Sequence, residues 1–326
     1  MVISLSGLSL LKTTSKSVRA ALLFAVTAGG FAADPPLPFA APFVAGQLVE
    51  PKNREASGLA ASRRTEGLLW THSDSGGAPV LYALNADGSE RGAVRIKDVK
   101  NEDWEDMAAF EQNGRALLLV ADVGDNFSTR SPVALHVIAE PPADQLTPGS
   151  ELAVSVAYST YFVYEDGARD CEAVAVDGAE GAVYLLSKRD VPARLYRVLL
   201  QPADKKTPAT ARLVGTVSHI PQPVGIQRLV PSPLFGLRGN PTALDFSPDG
   251  RRALVLVYGG PLLFERALGE TWAQALARAP IALPAFDLPQ AEAAAFSRDG
   301  KNIYVCSEKV PTLLRYEPPL EERAAR

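Results

Sequence analysis

Two nine-residue stretches decide the fold: Thr242–Gly250 reads TALDFSPDG and Glu292–Gly300 reads EAAAFSRDG. They lie fifty residues apart and match at Ala, Phe, Ser, Asp and Gly. A third copy, EAVAVDG, begins at Glu172, and the segments EASGLAAS from Glu55 and EDMAAFEQNG from Glu105 fit the same frame. Such self-similarity indicates a protein built by repeating one supersecondary unit.

A run of β-forming residues follows each of these repeat heads, after a turn that contains glycine or polar residues. The runs are GLLWTHS, ALLLVAD, AVYLLSK, ALVLVYG and NIYVCSE, which end at Ser73, Asp122, Lys188, Gly259 and Glu308. Third strands are predicted from Val80, Val133, Ala193 and Thr312, and fainter fourth strands from Ala93, Leu152 and Ala211. Four antiparallel strands repeated about every fifty residues predict the blade of a β-propeller.

We therefore predict an all-β, single-domain β-propeller with five blades, and a sixth stays open between Ala193 and Pro241 because the second and third units are long. The last unit lacks a clear fourth strand, whereas Phe43–Pro51 is a β-forming segment that stands before the first head. We expect this N-terminal strand to complete the last blade, because ring closure removes an exposed strand edge. One helix is predicted at Thr271–Ala279.

The first 33 residues differ from the rest of the chain. Lys12, Lys16 and Arg19 precede the apolar run Ala20–Val26, and small residues continue to Ala33. This pattern predicts a secretory signal peptide, and a membrane anchor is less favoured because a span needs about 20 apolar residues. The mature protein is then secreted or periplasmic, with no membrane span. The predicted layout is a signal peptide at 1–33, a Pro-rich lead-in at 34–42, the propeller at 43–317 and a charged tail at 318–326.

Charge and cysteine content exclude several classes of protein. With 33 Lys and Arg against 37 Asp and Glu, the net charge is −4, which disfavours binding to nucleic acid. The only cysteines, Cys171 and Cys306, fall in non-adjacent repeat units. Two separate buried thiols are therefore favoured over a disulfide, and a structural zinc site is excluded. We expect a monomer.

Two rings of polar residues are predicted to meet at one mouth of the central channel. The start of each innermost strand lies beside the end of its antiparallel neighbour, so both rings share one edge. Crowded carboxylates repel each other by roughly 3 kcal/mol per pair at about 5 Å, so a cation, shared protons or local bases must offset them. The first ring is Glu55, Glu105, Glu172, Thr242 and Glu292; the second is His72, Asp122, Lys188, Tyr258 and Glu308, with Asp74, Asp106, Asp125, Asn126 and Arg189 nearby.

An acid-rich mouth without cysteine suits a hard divalent cation, so calcium is the expected cofactor. The DVGDN loop at Asp122–Asn126 is either a calcium loop or an Asp-rich turn. His72 is the candidate general base, because the other two histidines fall in predicted outer strands. Lys188 and Arg189 either accept an anionic ligand or neutralise Glu172 and its neighbours.

The segments FSPDG and FSRDG resemble the repeats of TolB-type and WD-like propellers. Together with EASGLA, DWEDMA, ADVGDN and LLSKRD, they resemble a family of secreted bacterial propellers near the phytase-like and esterase-like group, over about residues 45–317. The resemblance implies a calcium-associated mouth, although the DDPA-type signature of propeller phytases is absent. The ligands that it implies are Glu55, Glu105, Asp122, Glu172 and Glu292.

Two functions are compatible with this mouth. The first is a calcium-dependent hydrolase of a phosphate ester, a carboxylic ester or a lactone, with His72, Lys188 and Arg189 as catalytic candidates and a small anionic molecule or ester as substrate. The second is a non-catalytic module that binds a ligand or a protein. A glycosidase is disfavoured because only 7% of the residues are aromatic.

Overall fold

The computed structural model describes residues 38–48, 55–204, 206–222 and 239–320. The predicted signal peptide, the start of the lead-in and most of the predicted tail lie outside the described residues. The strands form five blades. Blade 1 contains β2 (Ala56–Ala61), β3 (Leu68–Ser73), β4 (Val80–Asn85) and β5 (Glu90–Lys97). Blade 2 contains β6 (Trp104–Gln112), β7 (Arg115–Asp122), β8 (Val133–Ala139) and β10 (Tyr158–Tyr164).

The remaining blades have the same antiparallel order. Blade 3 contains β11 (Cys171–Asp177), β12 (Ala182–Ser187), β13 (Ala193–Leu199) and β14 (Ala209–Val217). Blade 4 contains β15 (Pro241–Phe246), β16 (Arg252–Val257), β17 (Gly260–Glu265) and β18 (Ile281–Ala282). Blade 5 contains β19 (Ala291–Phe296), β20 (Ile303–Ser307), β21 (Thr312–Tyr316) and β1 (Phe43–Gln47).

The innermost strands close into a ring, which confirms the predicted β-propeller. Around the ring β2 contacts β6, β6 contacts β11, β11 contacts β15, β15 contacts β19, and β19 returns to β2. Each pair of neighbouring blades shares its own hydrophobic core, such as the one that holds Trp70 and Trp104 between blades 1 and 2. The strands after Ala193 complete blade 3, so the described residues form five blades and no sixth.

The N-terminal strand completes the last blade, as predicted. β1 pairs antiparallel with β21, with Phe43 opposite Arg315 and Gln47 opposite Thr312. The backbone N–H of Leu48 extends this pairing by donating to the carbonyl of Pro311 at 2.7 Å. The first and last parts of the propeller are therefore joined by one hydrogen-bonded sheet.

The predicted strand from Leu152 is in fact two strands that serve two blades. β9 (Glu151–Ser155) runs parallel to β5 and adds a fifth strand to blade 1, where Glu151 pairs with Arg95 at 2.6 Å. β10 pairs with β8 in blade 2 and also runs parallel to β14 of blade 3. The predicted helix is shorter than expected, because α1 (Trp272–Leu276) starts at a Thr271 capping box and Pro280 follows soon after it.

Two aspartates in the channel accept hydrogen bonds from backbone N–H groups of the inner strands that have no strand partner. The Asp106 carboxylate accepts the N–H groups of Met107 and Val174 at 2.8 Å and of Leu244 at 3.2 Å, and so joins blades 2, 3 and 4. Asp245 accepts the N–H of Phe296 at 2.8 Å, which joins blades 4 and 5. Burial raises the pKa of both aspartates, that of Asp245 to about 6. Asp106 therefore lies in the channel, below the mouth where the sequence placed it.

The two cysteines are free and buried, as predicted. Cys171 begins β11 in blade 3, and Cys306 lies in β20 of blade 5. Burial raises the pKa of both thiols, that of Cys306 to about 12. Neither thiol therefore has the thiolate character of a reactive cysteine.

Deletion of residues 34–52 from the mature protein should destabilise the whole propeller. The deletion removes β1 and leaves β21 as an unpaired edge, so blade 5 loses its outer strand. We expect a lower unfolding midpoint in urea. Deletion of residues 321–326, which follow the last strand, is the matched control and should leave the midpoint unchanged. An N-terminal truncation as stable as the full mature chain would contradict closure through β1.

The variant Asp106→Ala should lower the free energy of unfolding by about 3 kcal/mol or more, because two buried N–H groups from other blades lose their acceptor. Asp106→Asn keeps one acceptor oxygen and should cost less. Urea denaturation measures both effects, with the exposed Asp287→Ala as control. Equal stabilities for Asp106→Ala and the control would show that this carboxylate does not hold the blades together.

Candidate functional site

Every innermost strand has a register shift at the level of the predicted mouth. In each blade one residue of the inner strand is skipped in the pairing with the second strand, as in a β-bulge. Blade 1 therefore contributes Ser57 to this ring instead of the predicted Glu55, which lies two residues earlier and is exposed. The skipped residues are Ser57, Glu105, Glu172, Thr242 and Glu292.

Glu55 lies one step further out along the channel than this ring, at the same level as two acids that were not predicted from the sequence. The backbone carbonyls of Glu55, Asp103 and Asp170 are equivalent, because each accepts an N–H from the first or second residue after the second strand of its blade. The sequence contains a pattern that could have identified them: Asp103 and Asp170 stand two residues before Glu105 and Glu172, as DWE and DCE. This acid-x-acid pattern occurs in blades 2 and 3, where the carboxylates converge.

Five carboxylates form a compact group, which we call the acid cluster: Asp74, Asp103, Glu105, Asp170 and Glu172. One oxygen of each of Asp74, Asp103 and Glu105 lies within 4.8 Å of the others, and Glu105, Asp170 and Glu172 satisfy the same limit. Glu105 and Glu172 are each only 6% exposed. The structure thus joins two predicted ligands, Glu105 and Glu172, to Asp74 and the two missed acids.

Cations compensate only one side of the acid cluster. The Lys188 ammonium forms an ion pair with Glu172, and the Arg189 guanidinium lies 2.5 Å from Asp170. Arg189 also donates to the side chain of Asn126, and its own side chain is 48% exposed. Within the described parts of the chain, no ion pair reaches Asp74, Asp103 or Glu105.

Burial and mutual repulsion favour protonation at this mouth. Burial raises the pKa of Glu172 to about 8, although Lys188 opposes the shift, and it raises the pKa of Asp103 to about 6. The pKa of Glu105 lies well above its ordinary value because of burial and the neighbouring Glu172. Without a bound cation, the cluster therefore favours protons shared among its carboxylates.

Blades 4 and 5 continue the mouth with a second polar group. The Tyr258 hydroxyl donates to Glu292, and the Lys188 ammonium lies 5.9 Å from the centre of the Tyr258 ring. Glu308 is paired with Lys309 at 2.6 Å. Burial raises the pKa of Glu292 to about 7. Glu292, Tyr258 and Glu308 thus lie at the mouth as predicted, on the far side of Lys188.

His72 does not reach the mouth. Its ring is fully buried one residue inside the end of β3, opposite Gly58, and it packs edge-on against Trp104 at 5.5 Å. Burial lowers the pKa of His72 to about 4, so the imidazole is neutral. The prediction of a general base at the mouth was wrong, because the mouth residue of blade 1 is Asp74 and His72 lies two residues earlier. Its place in β3 matches those of the buried Leu186, Leu256 and Cys306 in their strands.

The DVGDN loop has the bonding of an Asp-rich turn. The Asp122 carboxylate accepts the N–H of Asp103 at 3.2 Å and forms an ion pair with Arg130 at 2.5 Å. The Asp125 carboxylate accepts the N–H groups of Thr129 and Arg130 at 2.8 and 2.7 Å. These contacts fix the loop on which Asn126 meets Arg189, and they hold the carboxylates of Asp122 and Asp125 outside the acid cluster.

Comparison with known proteins assigns no family. No protein-family model matches the chain, and no curated protein is similar to it. A chain of the nidogen/laminin complex covers 77% of this chain and 72% of its own length at 12% identity, with a TM-score of 0.41. A chain of Kuenenia stuttgartiensis hydrazine synthase covers 85% of this chain and 99% of its own length at 9% identity, with a TM-score of 0.44. No described helix is long and apolar enough to cross a membrane.

In the absence of divalent cations, the free energy of unfolding should fall by about 2 kcal/mol or more between pH 5 and pH 8. The pKa values of Asp103, Glu292 and Glu172 in the folded protein, about 6, 7 and 8, lie above their ordinary values of 3.8, 4.5 and 4.5. The folded state therefore binds more protons than the unfolded chain, and its advantage is lost as these groups ionise.

Urea denaturation in EDTA at pH 5, 6.5 and 8 measures this slope. Glu172→Gln should flatten the profile, whereas Glu151→Gln, at an exposed ion pair in β9, should not. A wild-type stability that is constant over this range would mean that the clustered carboxylates do not hold excess protons.

Proposed function

We propose that the acid cluster binds calcium and that the propeller hydrolyses a small anionic ester at this mouth. The observation that carries the proposal is the uneven compensation of the cluster. Glu172 and Asp170 form ion pairs with Lys188 and Arg189, whereas Asp74, Asp103 and Glu105 form none among the described residues and are reached by Lys188 or Arg130 only at longer range. A divalent cation would supply the missing positive charge.

The donors in the cluster fit calcium. They are all carboxylate oxygens, which calcium prefers, and neither a thiolate nor an imidazole is among them. Asp74 and Asp103 are partly exposed and Glu105 is buried, so the three would bind an ion at the solvent edge. Affinities of about 10⁻⁴ to 10⁻³ M are typical of extracellular calcium modules, and the signal peptide proposed for this chain is consistent with that setting.

The residues around the cluster are suited to ester hydrolysis by water. A bound divalent cation would polarise the carbonyl or phosphoryl oxygen of the substrate. Lys188 lies between Glu172 and Tyr258, where its ammonium can stabilise negative charge that develops on that oxygen. The exposed Arg189 can bind the anionic end of the substrate. Protonated Glu292, whose pKa is raised to about 7 and which accepts from Tyr258, can give its proton to the alcohol released when the ester bond breaks, and it regains a proton from the water that attacks.

One observation favours the alternative, a non-catalytic module that binds a ligand or a protein. His72 is buried and neutral, so the mouth lacks the imidazole base that many hydrolases use. The same cluster would then hold calcium to shape a binding surface. Membership of the phytase-like and esterase-like group is likewise part of the proposal, and it depends on the repeat motifs alone.

Calcium at about 1 mM should raise the melting temperature of the EDTA-treated protein by several degrees, because a ligand that binds only the folded state stabilises it. Asp103→Asn and Glu105→Gln should each abolish most of this shift by removing an uncompensated ligand. Glu151→Gln is the matched control and should keep the full shift. Equal shifts in all four proteins would exclude the acid cluster as the calcium site.

A screen of phosphate monoester, carboxylic ester and lactone substrates then separates the two functions. Turnover that requires calcium and is lost in Lys188→Met supports the hydrolase. A calcium-dependent thermal shift without turnover of any substrate supports the binding module instead.

A further inference from the structure

A second cavity lies at the opposite mouth of the channel. Its volume is about 580 Å³, within the range of small-molecule sites. Its walls come from all five blades: blades 1, 3, 4 and 5 contribute residues of the turn between their first and second strands, and blade 2 contributes the last part of β6. The inner strands begin at the acid cluster and end here, so the two sites are roughly 20 Å apart at about 3.3 Å per residue.

Two arginines lie side by side at this cavity, and neither guanidinium forms an ion pair with a described residue, although the backbone N–H of Arg63 donates to the Glu140 carboxylate at 3.0 Å. Arg63 donates from Nε to the carbonyl of Ala109 at 2.8 Å, and its buried Nη1 has no hydrogen-bond partner in the described parts of the chain. Arg298 is exposed and donates from Nε to the backbone carbonyl of Arg63 at 3.0 Å. Neither forms an ion pair with a described residue, although the charge of Arg63 acts on the nearby Asp245. Blades 1 and 5 therefore present a cationic side to the cavity.

The aspartates of the cavity are already engaged. Asp177 accepts from Trp272 at 2.9 Å and pairs with Arg266 at 3.3 Å. Asp249 and Asp299 each accept from the serine and the backbone N–H of their own turn. These contacts hold the turns together and fix the three carboxylates in place, but the hydrogen bonds do not remove the negative charge of Asp249 and Asp299.

Two glutamates at the rim are different. Glu66 lines the cavity from the turn of blade 1 and Glu111 from the end of β6 in blade 2, and both are exposed. Neither makes an ion pair within the ranges that the structure describes. Glu66 shares the turn of blade 1 with Arg63, whereas Glu111 offers a carboxylate, unpaired among the described residues, from blade 2, which is not adjacent to the blade that carries Arg298.

An apolar wall completes the cavity. Phe110 and Val176 line it, and Phe246 stacks on Trp272 with ring centroids 3.7 Å apart. Arg266 covers the other face of Trp272 at 3.8 Å. Both faces of the indole are thus covered by protein side chains. This wall is therefore rigid, and no face of the ring is free to stack on an aromatic ligand such as a nucleobase.

We propose that this second cavity binds a small zwitterion: a short peptide with a free amino group, a free carboxylate and an apolar side chain. The carboxylate would lie at Arg63 and Arg298, the ammonium at Glu111, and the side chain against Phe110 and Val176. A simple anion fits less well, because the lining side chains contain five acids and only three arginines. This inference does not depend on the function proposed for the acid cluster.

Isothermal titration calorimetry of the mature protein in EDTA tests the proposal with the dipeptide alanyl-leucine. We expect saturable binding, weakened about tenfold or more when the dipeptide is N-acetylated or C-amidated, since each change removes one charge-assisted contact. Arg298→Gln and Glu111→Gln should each weaken binding by about fivefold or more. Ala179→Phe, which fills the cavity without removing a charge, should abolish binding.

Glu105→Gln, at the other mouth, is the matched control and should bind the dipeptide like the wild type. Circular dichroism confirms that each variant is folded before titration. The proposal is overturned if no heat is detected at millimolar dipeptide, if the capped peptides bind equally well, or if Ala179→Phe leaves the affinity unchanged. Binding lost only in Glu105→Gln would move the ligand to the acid cluster.

Discussion

The structure depends on closing a ring of five inner strands, each of which leaves one edge without a strand partner. A propeller tolerates such edges only because they face the channel instead of bulk solvent. Here the carboxylates of Asp106 and Asp245 accept N–H groups from three of the strands across the channel. At the outside of the propeller, the unpaired edge of blade 5 is covered by β1. Both devices connect residues that are distant in the sequence.

Ring closure also brings carboxylates close together at the mouth that contains the acid cluster, and their repulsion determines the chemistry of that mouth. Five strands that converge on one channel bring their first residues together, whatever charge those residues carry. In blades 2 and 3 they carry Glu105 and Glu172, and burial makes their repulsion strong. Lys188 and Arg189 offset part of it from the ends of second strands. The remaining imbalance is the physical reason to assign a cation to this mouth.

The two mouths differ in how their charges are organised. At the acid cluster the carboxylates contact one another, and the cations come from one side only. At the second mouth most carboxylates are bonded within their own turns, and Arg63 and Arg298 remain unpaired among the described residues. The fold thus has one mouth with clustered carboxylates and one mouth with both carboxylates and unpaired arginines. The channel between them contains the side chains of Asp106 and Asp245.

The repeat, the five blades and the closing strand could be predicted from the sequence, because hydrophobic alternation and Gly-containing turns recur with each blade and act locally. The sequence also placed Glu105, Glu172, Lys188 and Glu292 at one mouth. The exact ring depends on tertiary structure, because a one-residue register shift in each inner strand puts Ser57 where Glu55 was expected, and because His72 takes a buried place in β3. The pairs Lys188–Glu172 and Arg189–Asp170 form within blade 3, but the acid cluster joins carboxylates of blades 1, 2 and 3, and such distances depend on how the blades pack.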